Sequence, residues 1–151
     1  MTQVVRAEAS AIIDARPEVI WEVIRDYHIG HPAILPKPYF QSLKVLKGGV
    51  GEGTETHLTM KVFGRTFEYY HRITEPQPGR VLKETEVNTG QFSMFTLEPL
   101  DGGTRTRVTI TTEQPASAGV MGFFERLTTP GIQRRMFEQE LAILAEYVKG
   151  K

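Results

Sequence analysis

The hydrophobic positions near the carboxyl end of the chain repeat with the period of a helix. At about 100° per residue, one line of apolar side chains contains Phe137, Leu141, Leu144 and Val148. A second apolar line, about a quarter-turn away, contains Met136, Ile143 and Tyr147. This pattern predicts a long amphipathic helix within Gly119 to Lys149, clearest from Arg134 to Val148. Glu140 lies between the two lines and is either hydrated at the helix flank, which residue type favours, or turned into an internal space.

Before that helix, the two-residue period of β-strands dominates. Val5, Ala7, Ala9, Ala11 and Ile13 alternate with polar residues, which predicts a half-buried first strand with a small-residue inner face. Pro17 suits the first turn of a short helix that continues to Asp26. The segment Tyr27 to Phe40 contains three prolines and a glycine, so we expect a helical turn at Pro32 to Leu35 followed by an extended crossover.

Alternating stretches after this crossover predict about six antiparallel strands joined by glycine-rich turns. The clearest turns are Gly48 to Gly53, Gly64-Arg65, Pro76 to Gly79 and Asp101 to Gly103. Between residues 80 and 97 both parities contain apolar side chains, so the faces are left unassigned there except for Phe95 and Leu97 as an inner pair. The pattern predicts an α+β fold in which one sheet wraps around the last helix.

Composition limits the class of protein. The 151 residues suit one domain, 1–151. Eighteen basic and eighteen acidic side chains balance, so no long-range field attracts nucleic acid or anionic lipid. The apolar runs are too short for membrane insertion, and residues 1–9 lack the apolar core of a secretory signal, so we expect a cytoplasmic protein. The absence of cysteine excludes disulfides and thiolate chemistry.

Four stretches carry a resemblance to a known family: IIDARPEVIWEVIRD, GGVGEGT, ITEPQPGRVL and LEPLDGGTRTRV. Together with the order of elements, they resemble the SRPBCC superfamily, also called START-like or Bet v 1-like, and its polyketide cyclase/dehydrase and lipid-transport branch. The resemblance implies a helix-grip fold with a seven-stranded antiparallel sheet, two short helices between strands 1 and 2, and a cavity against the final helix. It also implies a small hydrophobic ligand. The motifs are turns and strand edges, and no catalytic constellation of the family maps onto this chain.

Few residues suggest chemistry. His28 and His31 are three apart, but with no third ligand in view we predict no metal and no cofactor. His71 and Tyr69 share the inner parity of their strand, so they either contact a ligand or form a satisfied polar pair in the core; residue type favours the pair. A buried Glu140 would have a raised pKa and would be a candidate base.

We therefore predict binding or carriage of a small apolar molecule of lipid, polyketide or aromatic type by a monomer or weak homodimer. One alternative is a cyclase or dehydratase of a polyketide-like substrate, and another is a protein-interaction module with a filled core. Trp21 is the only tryptophan and suits either the core or a pocket. The predicted ligand contacts are Trp21, Leu35, Met60, Tyr69, His71, Phe95, Met121, Phe124 and Glu140.

Overall fold

The chain folds as one curved antiparallel sheet around its last helix. The computed structural model describes residues 4–115 and 119–151, with side chains at 4–115 and 129–151. The strands are β1 (Val4–Ile13), β2 (Phe40–Lys47), β3 (Glu55–Val62), β4 (Arg65–Gln77), β5 (Val81–Glu86), β6 (Phe92–Leu100) and β7 (Arg105–Pro115). The helices are α1 (Pro17–Arg25), α2 (Gly30–Ile34) and α3 (Gly119–Tyr147), with a short 3-10 turn at Asp101–Gly103.

The strand order confirms the predicted sheet. The order is β1-β7-β6-β5-β4-β3-β2, so the first strand pairs with the last. Every neighbouring pair is antiparallel. The long helix and the two short helices between β1 and β2 are also where the sequence places them. None of the described helices is both long and apolar enough to cross a bilayer.

The first strand brings the last helix close to the sheet. Val5, Ala7, Ala9 and Ile13 are buried, whereas Arg6 and the other intervening residues of β1 up to Ser10 are exposed, as the alternation predicts. The alanines present little side-chain volume, and α3 packs across this strand. The core at this end of the molecule is consequently filled.

The structure decides between the two positions that the sequence allowed for Glu140. The first apolar line is buried as expected, and Glu140 is buried with it, at 4% exposure, which contradicts the favoured position at the hydrated helix flank and agrees with the alternative in which it turns inward. The helix also ends at Tyr147, two residues before the predicted Lys149. A carboxylate therefore faces the interior of the protein from the middle of the apolar face.

The faces of β5 and β6 that the sequence left open are now defined. Phe95 and Leu97 are 1% and 2% exposed, which confirms them as the inner pair of β6. On β5 the inner parity holds Leu82, Glu84 and Glu86. Two carboxylates thus lie on the side of the sheet that usually carries apolar residues.

Candidate functional site

A cavity of about 320 Å³ lies between the inner face of the sheet and α3. Its walls are mainly apolar, with side chains from α2, the sheet and α3 that include Leu35, Leu58, Met60, Phe95, Met136 and Phe137. Ligand pockets in proteins generally fall in the range of about 300–1,000 Å³, so this one suits a compact molecule. The alternative of a protein-interaction module with a filled core predicted no cavity here, so this space argues against it.

Six of the nine predicted ligand contacts line this cavity: Leu35, Met60, Tyr69, His71, Phe95 and Glu140. The structure places Trp21 elsewhere, in the hydrophobic core cluster with an exposure of 8%, which is the packing role that large aromatic residues usually have. Met121 and Phe124 lie outside the residues whose side chains are described. Contact of these residues with a ligand stays a prediction.

The cavity has an open end and a closed end. Near the turn between β3 and β4, its lining residues Val62, Phe67 and Arg65 are half-buried or exposed. The guanidinium of Arg65 lies over the Phe67 ring, 5.5 Å from its centroid. At the other end, His31 and Glu140 are almost fully buried. A ligand that enters at the β3–β4 turn therefore meets polar groups at the far end.

The closed end is built on a contact between α2 and β5. The Tyr27 hydroxyl donates to Oε2 of Glu84 at 2.7 Å, and Nε2 of His31 lies 3.4 Å from the same oxygen. The Tyr27 and His31 rings are stacked with centroids 4.3 Å apart, and Phe95 meets the His31 ring edge-on. We call Tyr27, His31 and Glu84 the polar cluster.

The hydrogen bonds of His31 fix where its protons lie. Its Nδ1 is 2.7 Å from the carbonyl oxygen of Ile24, which can only accept, so Nδ1 carries a hydrogen. Nε2 then faces a carboxylate oxygen that already accepts from Tyr27. The imidazole is thus held between the Ile24 carbonyl and the Glu84 carboxylate.

Burial keeps Glu140 in its neutral form. Desolvation raises the pKa of this carboxyl well above its usual value of 4.5, and the nearby charge of Glu84 raises it further. The raised pKa favours the protonated acid, whose O–H group can donate inside the cavity.

The two inner-face residues of β4 are also uncharged. Burial lowers the pKa of His71, against the opposing effect of the Glu84 and Glu86 charges, so its imidazole is neutral at pH 7. Burial raises the pKa of Tyr69, which keeps the phenol protonated. The two rings are parallel, with centroids 5.8 Å apart. His71 can accept a hydrogen bond or a proton, and Tyr69 can donate a hydrogen bond.

Glu86 lies opposite His71 in the β4–β5 pairing but is held by the backbone. Burial by itself would raise its pKa, but backbone N–H groups of Tyr70, Asn88 and Thr89 donate to its oxygens and together lower the pKa. Glu86 is therefore a fixed negative charge that closes the β5–β6 turn.

Sequence reasoning missed several polar groups of the cavity. Glu84 and His31 were not proposed as lining residues, because one lies on a strand of ambiguous parity and the other in an irregular proline-rich segment. A band on β6, β7 and α3 was missed as well: Ser93, Thr112, Gln114 and Gln133. The Gln133 amide nitrogen donates to Gln114, while its buried carbonyl oxygen has no partner among the described residues.

The two histidines considered for a metal do not act together. His31 is buried against Glu84, whereas His28 is exposed and its ring lies against Gly49. Within residues 4–115 and 129–151, no three His, Asp or Glu side chains form a group that could hold a metal ion.

Comparison with known proteins identifies related folds. Residues 4–149 match the model of a family described as polyketide cyclase/dehydrase and lipid transport. The solution structure of KanY protein is 27% identical, with a TM-score of 0.83 over 98% of this chain and 99% of that chain. A search of curated proteins gave no match.

Two more distant structures share the fold. The Zhui aromatase/cyclase from Streptomyces sp. R1128 is 20% identical, with a TM-score of 0.75 over 97% of this chain and 94% of that chain. Norcoclaurine synthase from Thalictrum flavum, solved with dopamine and hydroxybenzaldehyde, is 20% identical, with a TM-score of 0.72 over 99% of this chain and 90% of that chain. Identities this low support the shared architecture alone.

Proposed function

Because this chain belongs to the polyketide cyclase/dehydrase and lipid transport family, we propose that it binds a compact, mostly apolar molecule with one or two oxygen groups in the cavity. The observation that carries the proposal is the combination of apolar walls with a closed polar end. Burial of ring or acyl carbons supplies affinity at about 25 cal/mol per Å². Hydrogen bonds at the closed end orient the ligand.

The charge states at the closed end determine which hydrogen-bonding groups the ligand needs. Glu140 is a neutral donor and His71 a neutral acceptor. A carbonyl oxygen can accept from Glu140, and a hydroxyl group can donate to His71. This set suits a phenol or hydroxy-ketone better than a bare hydrocarbon, because a hydrocarbon would leave buried polar groups unpaired.

The same two groups favour a second function of the cyclase/dehydratase type, in which they catalyse dehydration of a polyketide-like substrate. Environments that push two titratable groups in opposite directions supply a base and an acid at the same pH. His71 would take a proton from the carbon beside a carbonyl, and the hydroxyl on the next carbon would leave as water with the Glu140 proton. A carbon–carbon double bond forms, and return of the proton from His71 to Glu140 restores both groups.

Native mass spectrometry of protein purified from its own host tests the proposal. We expect the wild type to retain a small molecule that Leu58→Trp does not, since Leu58 lines the cavity and the indole fills it. Leu46→Trp, on the exposed side of β2, is the matched control and should retain the molecule. Retention of the same species by Leu58→Trp would place binding outside the cavity and contradict the proposal.

The retained molecule also separates carrier from enzyme. Incubated with fresh wild-type protein, a molecule that His71→Asn retains from the host keeps its mass if it is a carried ligand, whereas a substrate loses the mass of one water. For an enzyme, His71→Asn should abolish that loss while changing affinity only modestly. For a carrier, no mass change occurs with either protein.

A further inference from the structure

The turn between β3 and β4 carries an exposed aromatic residue in an unfavourable backbone conformation. Phe63 and Gly64 form a two-residue turn closed by the pairing of Val62 with Arg65. Both turn residues have positive φ, 51° at Phe63 and 77° at Gly64. The Phe63 side chain is 85% exposed, the highest exposure among the large apolar residues of the described chain.

Stability does not explain this residue choice. Hairpin turns with positive φ at both positions strongly prefer Asn, Asp or Gly at the first one. A phenylalanine there adds steric strain, and its exposed ring gains nothing from burial within the protein. The ring is therefore suited to an apolar environment outside the protein.

The surroundings of the turn are cationic, although the chain as a whole has zero formal charge. Lys61 and Arg65 flank Phe63 and are exposed. The Lys61 amide donates to the Tyr39 carbonyl, which brings the loop that contains the exposed Lys37 beside the turn. The even balance of charge over the whole sequence hides this local excess.

The turn also lies at the open end of the cavity. Val62 and Arg65, on either side of it, are lining residues, and Phe67 follows two positions later. A surface that receives Phe63 would consequently face the entrance of the cavity.

We propose that the β3–β4 turn docks the protein on an anionic lipid surface, with Phe63 at the boundary of headgroups and acyl chains and Lys61, Lys37 and Arg65 against lipid phosphates. An aromatic ring flanked by cations suits that interface, where each cation contributes about 1 kcal/mol. A protein partner fits less well, because a single ring on a narrow turn offers little of the roughly 800 Å² per partner that a stable complex buries. Docking does not depend on which ligand the cavity holds.

Vesicle co-sedimentation tests the docking surface. In dilute salt, the full chain should bind vesicles that contain phosphatidylglycerol and should not bind pure phosphatidylcholine vesicles. Lys61→Gln should weaken binding about fivefold, and added salt should weaken it further. Absence of wild-type binding to the anionic vesicles, or equal binding to both compositions, would overturn the proposal.

Phe63→Gly separates docking from folding, since glycine relieves the positive φ and should leave the fold at least as stable. We expect its affinity for the anionic vesicles to fall about tenfold. Ile12→Thr, at an exposed position of β1, is the matched control and should bind as the wild type does. Equal binding by wild type and Phe63→Gly would show that the turn is not the docking element.

The fluorescence of Phe63→Trp reports how deeply the side chain at position 63 enters the lipid surface. Its emission should shift to the blue on anionic vesicles, over a constant background from the buried Trp21. Sedimentation with the vesicles without that shift would show binding by charge alone and contradict insertion of the ring. Cavity binding is measured without vesicles, so failure of one proposal leaves the other intact.

Discussion

Individual side chains at the closed end of the cavity are kept neutral by the same cause. Desolvation disfavours the charged form, so it raises the pKa of Glu140 and lowers the pKa of His71. Both shifts favour the uncharged form, so the cavity combines a carboxyl with a raised pKa and an imidazole with a lowered pKa. The proposed oxygenated ligand would exchange hydrogen bonds with both residues.

Glu140 should make the protein less stable as the pH rises. Its pKa is raised on folding, so above about pH 4.5 the unfolded chain releases a proton that the folded chain keeps. The free energy of unfolding consequently falls with increasing pH until the folded-state pKa is passed. Glu140→Gln cannot ionise and should escape this loss, so its stability relative to the wild type should increase with pH.

His71 should act in the opposite direction. Its pKa is lowered on folding, so its contribution to the free energy of unfolding is fully present above about pH 6.5. This contribution is lost as the pH falls, because the unfolded chain then takes up a proton that the folded chain does not. The free energy of unfolding of His71→Asn, relative to that of the wild type, should therefore increase as the pH decreases. Urea unfolding followed by Trp21 fluorescence, from about pH 4 to about pH 8, measures both variants. For each variant, the difference in free energy of unfolding from the wild type is plotted against pH. Slopes of the same sign for the two variants would contradict these pKa shifts.

These residues also show where sequence reasoning stops. A glutamate within an apolar face is usually hydrated at its edge, and only the hollow beside α3 explains why Glu140 is buried. Glu84 lies on a strand whose two faces both hold apolar side chains, so alternation gave no direction. His31 belongs to an irregular segment, and its contact with Glu84 joins residues 53 positions apart. Pairing over such a distance leaves no periodic signal in the sequence.

Among the secondary-structure elements, α1 and α2 position the polar cluster. Gly30 begins α2 and is buried against α1, where an added Cβ would overlap the Val23 carbonyl group. The next residue is His31, whose Nδ1 binds the Ile24 carbonyl oxygen. Close contact between the two helices therefore directs the imidazole at Glu84.

Gly30→Ala should separate α1 from α2. We expect a loss of about 1–3 kcal/mol in the free energy of unfolding, because backbone atoms of Val23 cannot move aside as a flexible side chain does. Gly131→Ala is the matched control, since this exposed position in α3 has no atom within 4 Å of an added Cβ. It should stabilise the helix by up to about 1 kcal/mol. Urea denaturation measures both, and equal effects would contradict the packing role of Gly30.

Elements with a clear period were predicted correctly. Alternation defined β1, and the line from Phe137 to Val148 defined α3, because each buries one face against a continuous core. The family resemblance, read from turns and strand edges, is confirmed by the match over residues 4–149. Those motifs specify how strands are joined. They carry no information about the side chains that line the cavity, so the identity of the ligand cannot be predicted from them.

The complete fold is filled at one end and hollow at the other. Alanines of β1 let α3 pack closely on this part of the sheet, whereas Leu58 of β3 and Tyr69 of β4 line the cavity. The helices α1 and α2 close this space on one side with the polar cluster, and the β3–β4 turn borders its entrance. The architecture thus separates a stabilising core from a binding cavity within one sheet.

Titration with a fluorescent apolar probe such as anilinonaphthalene sulfonate tests most directly whether this cavity accepts a small apolar molecule. We predict saturable binding to the wild type and to Leu46→Trp, with at least about tenfold weaker binding to a folded Leu58→Trp. Phenolic competitors should displace the probe. Equal affinity of all three proteins, or no saturable binding to the wild type, would contradict the account.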